Sequence, residues 1–334
     1  AMDIAFELRE KGRSKRIPNP DSPNLLDGKI VRDENGKTVI IPGLFKDVKG
    51  VGWYIDEFKR AQISINFNNY KVSTIHDVFD KACELAIERG IRVTGSELVG
   101  LIPKEALLMA GRHYLKKQRR TTAVPATDII ECALQSLGLN DLYPFKPEEK
   151  IVEFAVGQST GKLSGLTSDG FVDELSSNSP APGGGSVAAL AGSLGAALVS
   201  MVAALTHEKK GFEASQDEMD AMGNKAQEIK DRLSFLIDED TNAFNTVMDA
   251  NRLPSNSDEE KIAKRKAVLA ANKYAIEIPL EAAELSLSVL EIANELVKKG
   301  NPNSVSDVGV AGEVALAAVR GACMNVLINL SGVK

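Results

Sequence analysis

The second half of the chain is a series of segments in which apolar residues recur every three or four positions. That spacing is typical of amphipathic helices, which bury one face. Pro254, Asn256 and the stretch 301–303 separate neighbouring segments. Pro279 falls inside the fourth segment and is expected to kink or split it. The pattern predicts an antiparallel helical bundle, with helices at about residues 169–177, 186–206, 213–249, 257–298 and 305–330.

The first half contains shorter elements of both kinds. Apolar and polar residues alternate over 62–68, as in a strand with one solvent-exposed face. Residues 33–36 have the composition of a hairpin turn. The predicted strands are 29–32, 37–41, 52–56, 62–68 and 91–101, and the predicted helices are 73–89 with Ser73 as its cap, 103–117 and 127–137. This order predicts an α/β or α+β unit. A linker rich in Gly, Ser and Thr at 157–168 would separate domains at residues 1–156 and 169–334.

Composition narrows the class of protein. The 334 residues are 43% hydrophobic and 26% charged, which is ordinary for a globular chain with two cores. The three cysteines lie far apart and there are three histidines, so we expect a reducing compartment, no disulfide framework and no metal. The uncharged run 187–206 is as long as a membrane span, but it is mostly Ala, Gly and Ser, so we expect a buried helix and no membrane span. The basic runs 11–16 and 116–120 lack interleaved aromatic residues, which argues against nucleic acid as a partner.

A glycine-rich turn leads directly into that uncharged run. The turn comprises Pro182, Gly183, Gly184, Gly185 and Ser186. Glycines let backbone N–H groups approach a ligand closely, and the N-terminus of a helix attracts anions. The alternative is an ordinary loop before a buried helix, and the turn alone does not decide between the two.

Asp240 interrupts an apolar stripe formed by Leu233, Leu236, Ile237, Phe244 and Val247. A carboxyl group on a core-facing stripe loses solvation, so its pKa is expected to rise. A raised pKa suits a general acid at neutral pH. Asp238 lies off the stripe and is expected to have different surroundings. The alternative is that Asp240 only caps or pairs within the bundle.

Three further charged residues are candidates for ligand contacts. Asp307 starts the last predicted helix and could bind an amine or amidine, or could simply complete a capping box with Ser304. Lys209 and Lys210 follow the uncharged helix and could meet an acidic ligand tail, or could simply suit the helix C-terminus. Asn325 and Asn329 are expected to tie helices together.

Several motifs in the same order resemble the formiminotransferase-cyclodeaminase family. The motifs similar to its cyclodeaminase half are SPAPGGGSVAALAGSLGAALVSMVAALT, LIDEDTNAF, RLPSNSDEEK and NPNSVSDVGVAGE with NVLINL. The motifs similar to the C-terminal subdomain of its formiminotransferase half are VKGVGWYIDEFKRAQISINFNNYKVSTIHDVFD and VTGSELVGLIPKEAL. The resemblance covers nearly the whole chain and implies a ferredoxin-like α/β subdomain followed by the helical domain.

The resemblance implies a bifunctional folate enzyme of histidine breakdown. One half moves a formimino group from N-formimino-L-glutamate to tetrahydrofolate, and the other closes 5-formimino-tetrahydrofolate to 5,10-methenyl-tetrahydrofolate with release of ammonia. The proton donor of the second reaction is the second Asp of an Asp-x-Asp motif, which falls on Asp240. Folate, as a polyglutamate, would be the substrate and carrier, with no metal. The resemblance also implies a cytoplasmic homo-oligomer, a dimer or a ring of dimers.

The chain departs from the family pattern at its N-terminal end. It opens as if inside a helix, without a signal peptide, and no residues correspond to the N-terminal transferase subdomain that carries the catalytic His. We therefore expect this chain to lack transferase activity by itself, and neither His76 nor His113 is given that role. Two alternatives stay open: a methenyl-tetrahydrofolate cyclohydrolase built on the same helical domain, and a non-catalytic folate-binding or oligomer scaffold.

Overall fold

A computed structural model describes residues 1–22, 25–57, 59–157 and 161–331, with only the backbone of Leu25. The chain divides into two compact units. The first comprises Ala1–Tyr114 and Thr127–Val156, and the second comprises Leu115–Ala126 and Gly157–Lys334. Residues 158–160 of the predicted linker lie outside the described residues, and the predicted domain boundaries stay a prediction.

The first unit combines short helices with paired strands. Three antiparallel pairs form: β1 with β4, β2 with β3, and β5 with β6. The strands are β1 Arg13–Ser14, β2 Arg16–Ile17, β3 Lys29–Ile30, β4 Ile40–Ile41, β5 Val48–Ile55 and β6 Arg60–Phe67. The helices are α1 Met2–Leu8, α2 Ile75–Glu88, α3 Lys104–Lys117, which continues into the second unit, α4 Ala126–Ser136, α5 Pro147–Lys150 and α6 Val152–Ala155. The coarse α+β prediction is confirmed, whereas these pairs do not confirm the ferredoxin-like arrangement.

The β5–β6 hairpin carries the core of this unit. Its apolar face packs with α1 and α2 around a buried cluster. That cluster consists of Ile4, Leu8, Val48, Val78, Leu85 and Ala86. The cap of α2 is Thr74, whose side chain accepts the N–H of Asp77, so the prediction of Ser73 was wrong by one residue. The Ser73 hydroxyl instead donates to the carbonyl of Lys46 at 2.7 Å.

The predicted strand 91–101 was wrong. Its residues form no strand, because only side chains connect them to the neighbouring strand: Thr94 and Glu97 accept hydrogen bonds from the side chains of Arg60 and Gln62 in β6. The backbone N–H of Ser96 instead donates to the carbonyl of Gly138 at 3.0 Å, and its hydroxyl donates to the carbonyl of Leu137 at 2.6 Å.

The second unit is built from four long helices and one short helix. They are α7 Ser168–Leu175, α8 Gly184–His207, α9 Gln216–Arg252, α10 Asp258–Lys299 and α11 Val305–Leu330. These positions agree with the predicted helices. Helix α8 packs against each of α9, α10 and α11. A Cβ on Gly195 would meet Ala311 and one on Gly184 would meet Asn325, so α11 runs antiparallel to α8.

Small residues allow α8 to lie close to its neighbours. A Cβ on Gly192 would lie 2.4 Å from the hydroxyl oxygen of Ser286 on α10. Among the described residues, α8 and the helical stretch Pro302–Leu330 are long and apolar enough to cross a membrane, with 56% and 22% of their most apolar windows buried. Core helices of soluble proteins meet the same criterion, so the absence of a membrane span stays a prediction.

Pro279 does not split the fourth helix. Helix α10 is continuous over 42 residues with Pro279 buried inside it. It packs against three long helices, and tertiary packing can outweigh the local cost of a proline. A capping box formed by Ser257 and Glu260 begins the helix.

Candidate functional site

Asp240 lies where the middle of α9 meets the first turn of α8. One carboxylate oxygen of Asp240 accepts the backbone N–H of Ser186 at 2.9 Å and its hydroxyl at 3.3 Å. The Ser186 hydroxyl also donates to the carbonyl of Ile237 at 2.9 Å and lies 3.4 Å from the hydroxyl of Thr241. Asp240 therefore binds the N-terminus of α8, where the helix dipole favours a negative charge.

The contact between Asp240 and Ser186 requires a glycine at position 185. A Cβ at position 185 would lie 2.0 Å from one carboxylate oxygen of Asp240 and 2.4 Å from its carboxyl carbon. No heavy atom can be that close, so any side chain would displace the carboxyl group. The glycine-rich turn thus serves in part to admit the side chain of Asp240.

Two opposing effects act on the pKa of Asp240. Burial raises the pKa above its ordinary value, and the two hydrogen bonds from Ser186 lower it, with a net rise. Asp240 is half-buried. A carboxyl group with a raised pKa can hold a proton nearer neutral pH and deliver it to a ligand.

The turn before α8 keeps unused hydrogen-bond donors. Pro182 is buried, and Gly183 is the N-cap residue of α8. The described residues offer no hydrogen-bond acceptor to the N–H groups of Gly184 and Gly185, whereas Ser186 is bound to Asp240. Two N–H groups beside a carboxyl group of raised pKa can hold a polar ligand next to a proton donor.

Asp238 has a different role from Asp240. Its two carboxylate oxygens accept the backbone N–H groups of Leu163 at 2.8 Å and Ser164 at 3.1 Å. A Cβ on Gly161 would collide with Asp238 at 1.8 Å, so the segment before α7 passes close to this carboxylate. Asp238 therefore holds that segment, as expected for an acid off the apolar stripe.

The other predicted residues lie toward the opposite end of α8. Lys209 and Lys210 follow its last turn, and Asp307 lies in the first turn of α11. Helix α8 has 24 residues, so at 1.5 Å per residue the two ends are roughly 35 Å apart. Within one chain the structure does not bring these residues to Asp240.

Asn325 is a residue at the site that the sequence did not single out for ligand contact. A Cβ on Gly184 would lie 3.4 Å from its amide nitrogen, and that amide donates to the carbonyl of Gly321 at 2.8 Å. The feature of the sequence that could have identified Asn325 is a polar amide within an otherwise apolar run. Asn329 has the predicted tying role, because its amide donates to the carbonyl of Ala275 on α10 at 2.7 Å.

Comparison with known proteins matches both halves of the chain. The profile described as formiminotransferase-cyclodeaminase matches residues 167–334, and the profile of the formiminotransferase domain matches residues 1–157. The formimidoyltransferase-cyclodeaminase of Mus musculus is 37% identical over 332 residues, which cover 99% of this chain and 57% of that protein. The corresponding protein of Sus scrofa is 36% identical over 335 residues, covering 100% of this chain and 57% of that protein.

A third relative matches the helical unit alone. The methenyltetrahydrofolate cyclohydrolase of Methylorubrum extorquens is 40% identical over 166 residues, covering 50% of this chain and 80% of that protein. A crystal structure of formiminotetrahydrofolate cyclodeaminase from Thermotoga maritima matches with a TM-score of 0.47 and 29% identity, over 52% of this chain and 82% of that chain. The chain spans 57% of the length of the first two relatives. Both sequence profiles together show that the chain belongs to the formiminotransferase-cyclodeaminase family.

Proposed function

We propose that the helical unit closes 5-formimino-tetrahydrofolate to 5,10-methenyl-tetrahydrofolate and releases ammonia, with Asp240 as the general acid. The observation that carries this proposal is the carboxyl group of Asp240 at the N-terminus of α8, with its pKa raised by burial. The family match supports the reaction class. The antiparallel bundle predicted for this unit belongs to the same proposal.

The reaction requires a proton donor beside the amino group that leaves. Ring closure joins the second folate nitrogen to the formimino carbon, which becomes tetrahedral and carries an amino group. That amine leaves as ammonia only after it is protonated, and Asp240 supplies the proton. The N–H groups of Gly184 and Gly185 bind polar groups of the folate beside the reacting carbon. The formimino group reacts in its protonated form, so the attacking folate nitrogen carries its N–H proton into the tetrahedral intermediate. It passes that proton to the Asp240 carboxylate, which restores the acid, and its lone pair then expels ammonia as the methenyl bridge forms.

The assay follows the near-ultraviolet absorbance of methenyl-tetrahydrofolate as it forms from 5-formimino-tetrahydrofolate. The variant Asp240→Asn keeps the acceptor for the Ser186 N–H but cannot deliver a proton, so we expect kcat to fall by about 10²- to 10⁴-fold with folate binding retained. The matched control is Asp249→Asn, an exposed acid on the same helix. Equal turnover in all three proteins would remove Asp240 from the mechanism.

Hydrolysis of methenyl-tetrahydrofolate is the second candidate. The observation that favours it is the 40% identity to a methenyltetrahydrofolate cyclohydrolase over the helical unit. Methenyl-tetrahydrofolate supplied alone discriminates the two reactions. A faster loss of its absorbance with the protein than without it indicates the hydrolase, whereas ammonia release from the formimino compound indicates the cyclodeaminase. Folate binding without either reaction would support the scaffold alternative.

The remaining expectations extend this proposal. Residues 1–157 match the formiminotransferase domain, which supports a part in formimino transfer from N-formimino-L-glutamate to tetrahydrofolate. The predicted ferredoxin-like subdomain belongs here. Lys209, Lys210 and Asp307 stay predicted ligand contacts, at a place separate from Asp240 within one chain. We also propose a cytoplasmic homo-oligomer, for which gel filtration with light scattering is the direct test.

A further inference from the structure

Two of the three histidines meet in the first unit, although nothing in their sequence spacing suggested it. His76 lies in the first turn of α2 and His113 near the end of α3. Their imidazole rings stack with centroids 4.3 Å apart and 28° between the planes. In the described part of the chain, the only group of metal-ligating side chains is His76, Asp77 and His113, with one ligand atom of each within 4.8 Å of the others.

Carboxylates surround this pair of rings. One oxygen of Asp77 lies 3.9 Å from Nε2 of His76, and the other accepts the hydroxyl of Thr74 at 2.6 Å. Asp80, one helical turn after His76, lies 3.0 Å from Nε2 of His113 and accepts the phenol of Tyr114 at 3.1 Å. Each carboxylate therefore lies beside an imidazole nitrogen, and imidazole and carboxylate groups are side chains that bind divalent metal ions.

His76 has an unsatisfied nitrogen. It is 8% exposed, and its Nδ1 is buried without a hydrogen-bond partner. A buried nitrogen without a partner has a free energy cost, which a metal bond to that nitrogen would remove.

We propose that His76, Asp77 and His113 bind a first-row divalent cation, with Zn²⁺ as the ion that fits the ligand set. Two imidazoles and one carboxylate leave a fourth position for water. Asp80 would not bind the ion itself but hydrogen-bonds to Nε2 of His113. Such a carboxylate commonly orients the ring of a histidine ligand. This site belongs to the first unit and uses no residue of the proposed cyclodeaminase reaction.

The geometry requires a small closure of the side chains. Ligand atoms of a tetrahedral Zn²⁺ with bonds of about 2.0–2.1 Å lie roughly 3.3 Å from one another. From separations of up to 4.8 Å, the three atoms must approach by at most roughly 1.5 Å. Rotation of an imidazole about its outer side-chain bond meets only a broad, shallow preference, so this closure needs no backbone movement.

The test uses Co²⁺ as a spectroscopic probe on the whole chain after treatment with a chelator. We expect one equivalent to bind with the visible absorption of a four-coordinate ion and to be displaced by Zn²⁺. Asp77→Asn and His113→Gln should abolish that absorption while circular dichroism stays unchanged. Asp80→Asn should weaken binding by about 10- to 100-fold, because it removes an outer partner of a ligand.

Two controls keep the test specific. Asp128→Asn removes an exposed acid outside the cluster, and His207→Gln removes the third histidine of the chain. Both should bind Co²⁺ like the unaltered protein. The proposal is overturned if excess Co²⁺ gives no visible bands, if Asp77→Asn and His113→Gln bind it unchanged, or if near-ultraviolet thiolate bands place the ion at a cysteine.

Discussion

Replacing Gly185 by alanine tests the contact on which the candidate site depends. The new Cβ would lie 2.0 Å from a carboxylate oxygen of Asp240, whereas ordinary contact begins at 3.4 Å, so the carboxyl group must retreat by roughly 1.4 Å. Such a shift breaks the 2.9 Å hydrogen bond from the Ser186 N–H. A misplacement of about 1 Å costs about 100-fold in rate, and overpacking costs about 1–3 kcal/mol of stability.

The neighbouring glycines provide matched controls for this substitution. A Cβ on Gly183 meets nothing within 4 Å, and one on Gly184 makes an ordinary 3.4 Å contact with Asn325. Gly183→Ala and Gly184→Ala should therefore unfold at about the same urea concentration as the parent, whereas Gly185→Ala should unfold at a lower one. A Gly185→Ala protein that keeps the kcat of the parent for methenyl-tetrahydrofolate formation would refute the placement of Asp240 as the acid.

Three other predictions follow from single contacts. Burial raises the folded-state pKa of Asp240, so the folded protein holds this proton more tightly than the unfolded chain. The free energy of unfolding should therefore fall as the pH rises from the ordinary pKa of 3.8 through the raised pKa. Urea titrations at several pH values should show this slope in the parent and not in Asp240→Asn. Asp238→Asn keeps one of two backbone acceptors, so we expect a loss of about 0.5–1.5 kcal/mol, faster proteolysis before α7 and a kcat within a few-fold of the parent. Gly192→Ala should lower the free energy of unfolding by about 1–3 kcal/mol, measured by thermal unfolding. Adding Ser286→Ala, which removes the oxygen 2.4 Å from the new Cβ, should restore part of that free energy. A double variant no more stable than Gly192→Ala would contradict the close approach of α8 and α10.

The helices of the second unit could be predicted because several local signals agree. Helical periodicity, the capping box at Ser257 and the Asn301–Asn303 break each indicate the same bounds. Of the two outcomes predicted for Pro279, the split was wrong, because the local rule ignored packing on three sides of α10, and the kink stays a prediction. In the first unit, the strand predicted over 91–101 does not form, since the backbone N–H and the hydroxyl of Ser96 bond to the loop around Gly138.

Asp240 could be found from its position on the stripe, but its partner could not. Periodicity reports that a side chain faces other helices, and it does not report which helix end it meets. The contact with Ser186 depends on α8 starting beside the middle of α9, which is a property of the packed helices. Asn325 was missed for the same reason, since its approach to Gly184 requires α11 to run antiparallel to α8.

The two acids of the Asp-x-Asp motif show how neighbouring residues of one type acquire different roles. Both accept backbone N–H groups from segments at the start of a helix, so hydrogen bonding alone does not separate them. Residues two apart on a helix point in different directions, and only Asp240 points toward the packed first turn of α8. Burial there raises its pKa, whereas Asp238 spends both oxygens on holding a segment. In the proposed mechanism, proton transfer therefore falls to Asp240, whose pKa is raised by burial, whereas Asp238 holds the segment before α7.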